Sequence, residues 1–106
     1  MSPGFPHENL DCYRLSVEVA RWMGAAKFPA GCADLGDQGR RAARSISLNI
    51  AEAARQGQAG VNHFRVALGS AAEACAVLDL VDLAGAAEQQ AKLRRVGAML
   101  RRLSGG

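Results

Sequence analysis

The sequence has few of the residues from which disulfide-bonded, metal-binding or aromatic-rich proteins are built. Among 106 residues there are three cysteines, two histidines and three prolines, and aromatic residues make up 5%. Cys12, Cys32 and Cys75 form no CxxC pair, and His7 and His63 lie far apart with no HxxxH or ExxH spacing. Neither a disulfide framework nor a metal site is therefore predicted.

The chain also lacks a long apolar run. Residues 1–10 show no basic segment followed by an apolar one, which argues against a signal peptide. The most apolar stretch, residues 66–81, is interrupted by Glu73 and Asp79 and is shorter than the roughly 20 residues that a membrane span needs. We therefore expect a cytoplasmic protein with no membrane partner.

Apolar residues make up 49% of the chain and recur mainly at helical spacing. This pattern predicts a flexible N-terminal arm over residues 1–8 and one domain over residues 9–103. The predicted helices cover about residues 9–27, 35–55, 61–84 and 87–103, and short loops join them. We therefore predict an all-α fold, an antiparallel up-down four-helix bundle.

The second predicted helix carries an apolar face and a basic face. Its apolar stripe is Leu35, Gly39, Ala42, Ala43, Ile46, Ile50 and Ala53. Asn49 and Glu52 lie between the two faces, where a polar group can reach both protein and water. One helix is thus expected to supply part of the core and part of a charged surface.

Arginines cluster on two of the predicted helices, and the net charge of the chain is +3. Clusters of this kind bind the phosphate backbone of RNA or DNA without reading its sequence. No aromatic residue is interleaved with them, so stacking on single-stranded bases is not predicted. Two alternatives are a merely solvated face and a surface for an acidic protein partner. The candidate nucleic-acid-binding residues are Arg40, Arg41, Arg44, Arg55, Arg94, Arg95, Arg101 and Arg102.

The first and third predicted helices are apolar on more than one side. The first predicted helix has one face of Leu10, Tyr13, Val17, Ala20 and Gly24 and a second of Leu15, Val19, Trp22 and Ala26. Such helices need burial beyond one core contact, which predicts either a wide core in a monomer or a homo-oligomer. We favour the oligomer because tryptophan is a common interface anchor and Trp22 lies on the second face. Glu73 lies among apolar residues, where its carboxylate needs an arginine partner from Arg44 or a second subunit. The candidate interface residues are Leu15, Val19, Trp22, Val66, Glu73 and Val77.

No pattern indicates an enzyme, and no cofactor is predicted. Some helical-bundle ribonucleases place an arginine and a histidine a few residues apart on one helix. Arg44 and Asn49 have a similar spacing, but asparagine cannot act as the general base. Glu52 and Glu73 could form a general acid and base, although no nucleophile accompanies them. A buried or interfacial ion pair, with Arg44 or an arginine of a second subunit, is the better interpretation of each carboxylate.

Three segments resemble the 23S rRNA intervening-sequence four-helix-bundle family: RRAARSISLNIAEA at 40–53, ALGSAAEACAVLDL at 67–80 and LRRVGAMLRRL at 93–103. Asn49 and Glu52 belong to the first of these motifs. The resemblance implies a four-helix bundle assembled as a ring-like homopentamer, with no known catalytic activity. A related branch, the accessory variability determinant of diversity-generating retroelements, is a basic pentamer that binds nucleic acid and a reverse transcriptase. The chain departs from the family pattern at Ala53, where a glycine is usual.

Overall fold

The computed structural model describes residues 4–105, and all of its regular structure is helical. No strand occurs in this part of the chain, so the prediction of an all-α fold is confirmed. Within the described residues there are four α-helices: α1 (Asp11–Ala25), α2 (Ala33–Gln56), α3 (Val61–Asp79) and α4 (Ala86–Leu103). Two 3-10 helices accompany them, Pro6–Asn9 and Gly57–Gly60.

The N-terminal segment differs from the predicted flexible arm. Residues 1–3 of that arm lie outside the described residues, but Pro6–Asn9 is instead a 3-10 helix. The carboxylate of Glu8 accepts a hydrogen bond from the backbone N–H of Phe5. The His7 ring lies edge-on to Tyr13 of α1, with 4.5 Å between the ring centres. These local contacts hold the segment against the helices.

Each helix packs against two others. Helices α2 and α4 each pack against both α1 and α3, whereas the backbones of α2 and α4 do not approach each other closely in the described chain. Neighbouring helices run antiparallel, because rising residue numbers on one helix meet falling numbers on the next. The neighbouring residues are Ser16–Ser47 and Met23–Gly39 between α1 and α2, and Ser45–Ser70 and Asn49–His63 between α2 and α3. Between α3 and the C-terminal helix they are Cys75–Gln90 and Arg65–Ser104, and Glu18–Lys92 joins α1 to α4.

The end of α3 comes earlier than the sequence predicts. The helix ends at Asp79, not near residue 84, and a turn leads to Gly85 with a left-handed φ of 89°. The side-chain amide of Gln90 on α4 donates to the carbonyl oxygen of Cys75 (3.0 Å) and to the carboxylate of Asp79 (2.7 Å). These contacts fix the last turn of α3 against α4.

The buried stripe of α1 is also shifted relative to the prediction. Its buried residues are Cys12, Ser16, Val19 and Met23. Ser16 is fully buried because its hydroxyl donates to the carbonyl of Tyr13 (2.7 Å) and accepts from Ser47 of α2 (2.8 Å). Because a hydrogen-bonded serine is part of the core, the buried face of α1 differs from the apolar faces that sequence periodicity indicates.

Two residues of the predicted oligomer interface therefore belong to the core of a single chain. Val19 is 0% exposed and Val77 is 4% exposed. Neither side chain can contact a second subunit while the helices are packed as they are, so these two interface predictions are wrong.

None of the helices within residues 4–105 combines the length and the apolar character that are needed to cross a membrane.

Candidate functional site

The C-terminal half of α4 presents arginines to solvent. Arg94, Arg95, Arg101 and Arg102 are all exposed, and none forms an ion pair within residues 4–105. Lys92 differs from them, because its ammonium lies 3.1 Å from a carboxylate oxygen of Glu18. The sequence from residue 89 to residue 106 contains no acidic residue. The free positive charge of α4 is therefore concentrated on these four arginines.

The arginines of α4 border two different grooves. Arg94 and Arg101 line a groove of about 330 Å³ between α3 and α4, with Leu68 and Cys75 among the lining residues. They lie seven residues apart, which is about 10 Å along a helix. Arg65 of α3 reaches the same end of the molecule, since its guanidinium donates to the carbonyl oxygen of Ser104 at 3.4 Å.

The other side of α4 faces α1. Arg102 borders a groove formed with residues 9–12, Met99 and Leu103. Arg95 is seven residues, or about two turns, before Arg102, so it lies on the same side of α4. The four arginines thus flank the exposed surface of α4, whose exposed Ala87, Ala91 and Ala98 project little from the helix.

The arginines predicted on α2 divide into paired and unpaired residues. Arg41 and Arg44 are exposed and form no ion pair in the part of the chain that the structure describes. The Arg40 guanidinium lies 3.0 Å from the carboxylate of Asp37 and 5.6 Å from the centre of the Phe28 ring, and its side chain is 27% exposed. Arg40 is therefore held in place and partly neutralised.

Arg55 is paired with the motif residue Glu52. Its Nε and a terminal nitrogen each donate to a carboxylate oxygen of Glu52 at 2.9 Å, and Gln56 donates to the same carboxylate at 3.0 Å. The hydrogen bond from Arg55 is the main cause that lowers the pKa of Glu52 to about 2. Glu52 thus forms an ion pair with Arg55, one turn away on the same helix and at the surface, and not the buried or interfacial pair that the sequence predicts.

We expect nuclear magnetic resonance titration to place the protonation midpoint of Glu52 near pH 2, and Arg55→Gln to raise it. Because the pKa in the folded state is below the unfolded value, ionised Glu52 favours the folded state. This contribution is present above about pH 4.5 and is lost as the pH falls toward 2. Asp37→Asn serves as a control that leaves the Glu52 pair intact. An unchanged Glu52 midpoint in Arg55→Gln would contradict the assignment.

The arginines of α2 and α4 do not form one surface within a chain. Because α2 and α4 are not neighbours in the packing of the helices, the two groups of exposed arginines face different directions. A continuous positive band would need several copies. The single chain supplies two separate clusters.

The second motif residue, Asn49, belongs to a polar network between α2 and α3. Its amide nitrogen donates to the backbone carbonyl (2.9 Å) and to the hydroxyl (3.1 Å) of Ser45, so its oxygen is free to accept from Nδ1 of His63 at 3.0 Å. Ser70 donates to the hydroxyl of Ser45 at 2.9 Å. Every member has a partner, which makes the network suited to joining the two helices.

The ribonuclease-like spacing of Arg44 and Asn49 does not produce a shared site. Asn49 faces α3, whereas Arg44 borders a groove between α1 and α2 that includes Val17 and Ala20. His63 supplies the imidazole that Asn49 lacks, but it lies on the side away from Arg44. Sequence reasoning missed the contact between His63 and Asn49. Within residues 4–105 no three His, Cys, Asp or Glu side chains form a group that could hold a metal ion.

The remaining interface predictions fall on the surface or at its edge. Leu15 and Trp22 are half-buried and pack against the core. Val66 is 50% exposed, and Glu73 is exposed without an ion pair in the described chain. The carboxylate of Glu73 therefore gains no arginine partner among residues 4–105, and the surface around it stays available.

A protein-family model described as 23S rRNA-intervening sequence protein matches residues 8–103, which include all four α-helices. No curated protein is significantly similar to the chain. The family match confirms the resemblance seen in the segments at 40–53, 67–80 and 93–103. The chain therefore belongs to the 23S rRNA-intervening sequence protein family.

Proposed function

We propose that this protein is a non-enzymatic, self-assembling helical protein that binds the phosphate backbone of RNA or DNA through the unpaired arginines of α4. We expect its helices to act as an up-down four-helix bundle in the cytoplasm. The family resemblance implies a ring of five copies. The observation that carries the proposal is the group of four exposed, unpaired arginines in a stretch of chain without acidic residues.

The arrangement of α4 suits backbone binding in two ways. Unpaired guanidiniums can contact phosphates without first breaking an intramolecular ion pair, and each contact releases condensed counterions. The exposed alanines between the arginines let a nucleic-acid strand approach the helix. No aromatic residue lies on α4, so we expect little preference among base sequences.

The test is fluorescence anisotropy with a labelled single-stranded RNA of mixed sequence, measured between about 50 and about 200 mM salt. We expect the double variant R94Q/R101Q to bind about 10-fold more weakly at the lower salt concentration. The slope of log affinity against log salt should fall by about 1.4, because each lost phosphate contact on a single strand contributes about 0.7.

The matched control is R40Q/R55Q, which removes the same formal charge from arginines that are already paired with Asp37 and Glu52. Its RNA affinity should change much less than that of R94Q/R101Q. Equal losses in the two variants would mean that net charge alone attracts RNA. An absence of binding by the wild-type protein at about 50 mM salt would refute the proposal.

A second candidate is a scaffold that binds an acidic protein segment. The groove between α3 and α4 favours it, because Leu68 and Cys75 provide an apolar floor and Arg94 and Arg101 border it. An amphipathic acidic helix would fit such a groove. A protein partner retained after nuclease treatment and released by R94Q/R101Q would support this alternative.

A further inference from the structure

We propose that copies of this chain join head to tail, with an exposed stripe on α3 of one copy seated in the groove between α1 and α2 of the next. This inference deepens the self-assembly part of the proposed function, on which it rests, and it is independent of nucleic-acid binding. It depends on two surfaces, defined below as the α3 stripe and the α1/α2 groove.

The α3 stripe follows the spacing of a helix–helix interface. Its members recur every three or four residues and are all exposed, although four of the six are apolar or lack a side chain. Val66 is 50% exposed and Leu80 is 68% exposed, which are high values for apolar side chains in the middle and at the end of a helix. The stripe consists of Asn62, Val66, Gly69, Glu73, Ala76 and Leu80.

Gly69, at the centre of the stripe, has no role that the packing of one chain explains. A Cβ atom built at this position would meet nothing within 4 Å. Glycine lowers helix stability relative to alanine, so its presence without an internal contact needs another reason. A neighbouring helix backbone that approaches α3 closely at Gly69 provides that reason.

The α1/α2 groove is the complementary surface. It has a volume of about 270 Å³, and Val17 and Ala20 of α1 line it together with Leu48 of α2, which is 69% exposed. Arg21 and Arg44 border it, and neither forms an ion pair among the described residues. Because α1 and α2 are antiparallel, the two arginines lie at one end and Val17 and Leu48 at the other.

The charges of the two surfaces are opposite in sign. Glu73 is the only charged residue of the α3 stripe, and it has no ion-pair partner in the described chain. When the α3 stripe enters the groove of the next copy, Glu73 meets Arg21 and Arg44. The part of the stripe one turn from Glu73, which carries only the small residues Gly69 and Ala76, then covers Val17 and Leu48, since these lie about one helical turn from the two arginines. A carboxylate between two guanidiniums fixes the register of the contact.

This contact is heterologous, because it joins two different faces of the same chain. After two copies bind, one groove and one stripe remain free, so further copies add, and a ring forms when the rotation from one copy to the next closes. Helix α4 belongs to neither surface, and its arginines stay exposed in every copy. The arrangement would therefore repeat the α4 cluster around the assembly.

The experiment measures solution mass by light scattering, without nucleic acid, for charge-reversal variants of the full chain. We expect a mass of several chains for the wild type and a mass near one chain for both E73R and R21E/R44E. The triple variant E73R/R21E/R44E should regain the wild-type mass, because every reversed charge then meets its opposite. E88R is the matched control, since Glu88 is exposed on α4, and it should keep the wild-type mass.

Gly69→Leu provides a test that changes no charge. It should reduce the mass to one chain while circular dichroism shows unchanged helix content. A multimeric E73R, or a triple variant that stays a single chain with full helix content, would overturn the interface but leave self-assembly standing. A wild-type protein with the mass of one chain would overturn both, whereas RNA binding by the α4 arginines is judged separately from the anisotropy measurement.

Discussion

Gly60→Ala is expected to lower the free energy of unfolding by about 3 kcal/mol. Gly60 is buried at the corner between α2 and α3, where the chain passes through the 3-10 helix Gly57–Gly60. A Cβ atom at this position would lie 2.3 Å from the carbonyl oxygen of Ala53 and 2.7 Å from its Cα. These are backbone atoms in the last turns of α2, so no side-chain rotation can relieve the overlap.

The expected loss is steric and does not come from backbone conformation. The φ of Gly60 is −88°, a value that alanine adopts readily. To admit a methyl group, the corner must open and move α3 away from α2, which disturbs the contacts of Phe64 and Ile50 in the core. Urea denaturation followed by circular dichroism would measure the change as a lower midpoint with a similar slope.

Gly24→Ala is the matched control. Gly24 is the last residue but one of α1, and a Cβ atom there would meet nothing within 4 Å. The same chemical change should therefore leave stability unchanged or raise it by at most about 0.5 kcal/mol through helix propensity. A Gly60→Ala protein that unfolds at the wild-type urea concentration would show that the corner can accept a side chain.

The buried faces of α2 and α1 differ in how well sequence periodicity predicts them. The apolar stripe of α2 is predicted well, because Ala42, Ile46 and Ile50 are buried and its arginines point elsewhere. The buried stripe of α1 is predicted less well, because neither predicted apolar face includes Ser16, which is buried. Its hydrogen-bond partner Ser47 lies 31 residues away, so no local pattern could reveal that the serine is buried.

The candidate site divides in the same way between local and distant contacts. The pairs Asp37–Arg40 and Glu52–Arg55 are three residues apart, a spacing that could have identified the neutralised arginines from sequence. The contact of His63 with Asn49 joins two helices across a corner and could not be predicted. Sequence therefore identifies the arginines, whereas the structure decides which of them remain free.

Ser16→Ala is expected to destabilise the protein by about 2 kcal/mol. Ser16 is 0% exposed, and its hydroxyl accepts from Ser47 while it donates to the carbonyl of Tyr13. The alanine leaves the Ser47 hydroxyl, on a residue that is 9% exposed, without its partner from α1. Ser47→Ala should cost less, about 1 kcal/mol, since Ser16 keeps its hydrogen bond to Tyr13.

The double variant Ser16→Ala/Ser47→Ala separates hydrogen bonding from packing. Removing both hydroxyls leaves no polar group without a partner, so the double variant should lose less stability than the sum of the single variants. The difference should be at least about 0.5 kcal/mol in urea denaturation, which is typical of groups in direct contact. Strictly additive losses would mean that the two hydroxyls do not interact across α1 and α2. The shifted stripe of α1 would then have to be attributed to side-chain volume alone, with Ser16 buried only because it is small.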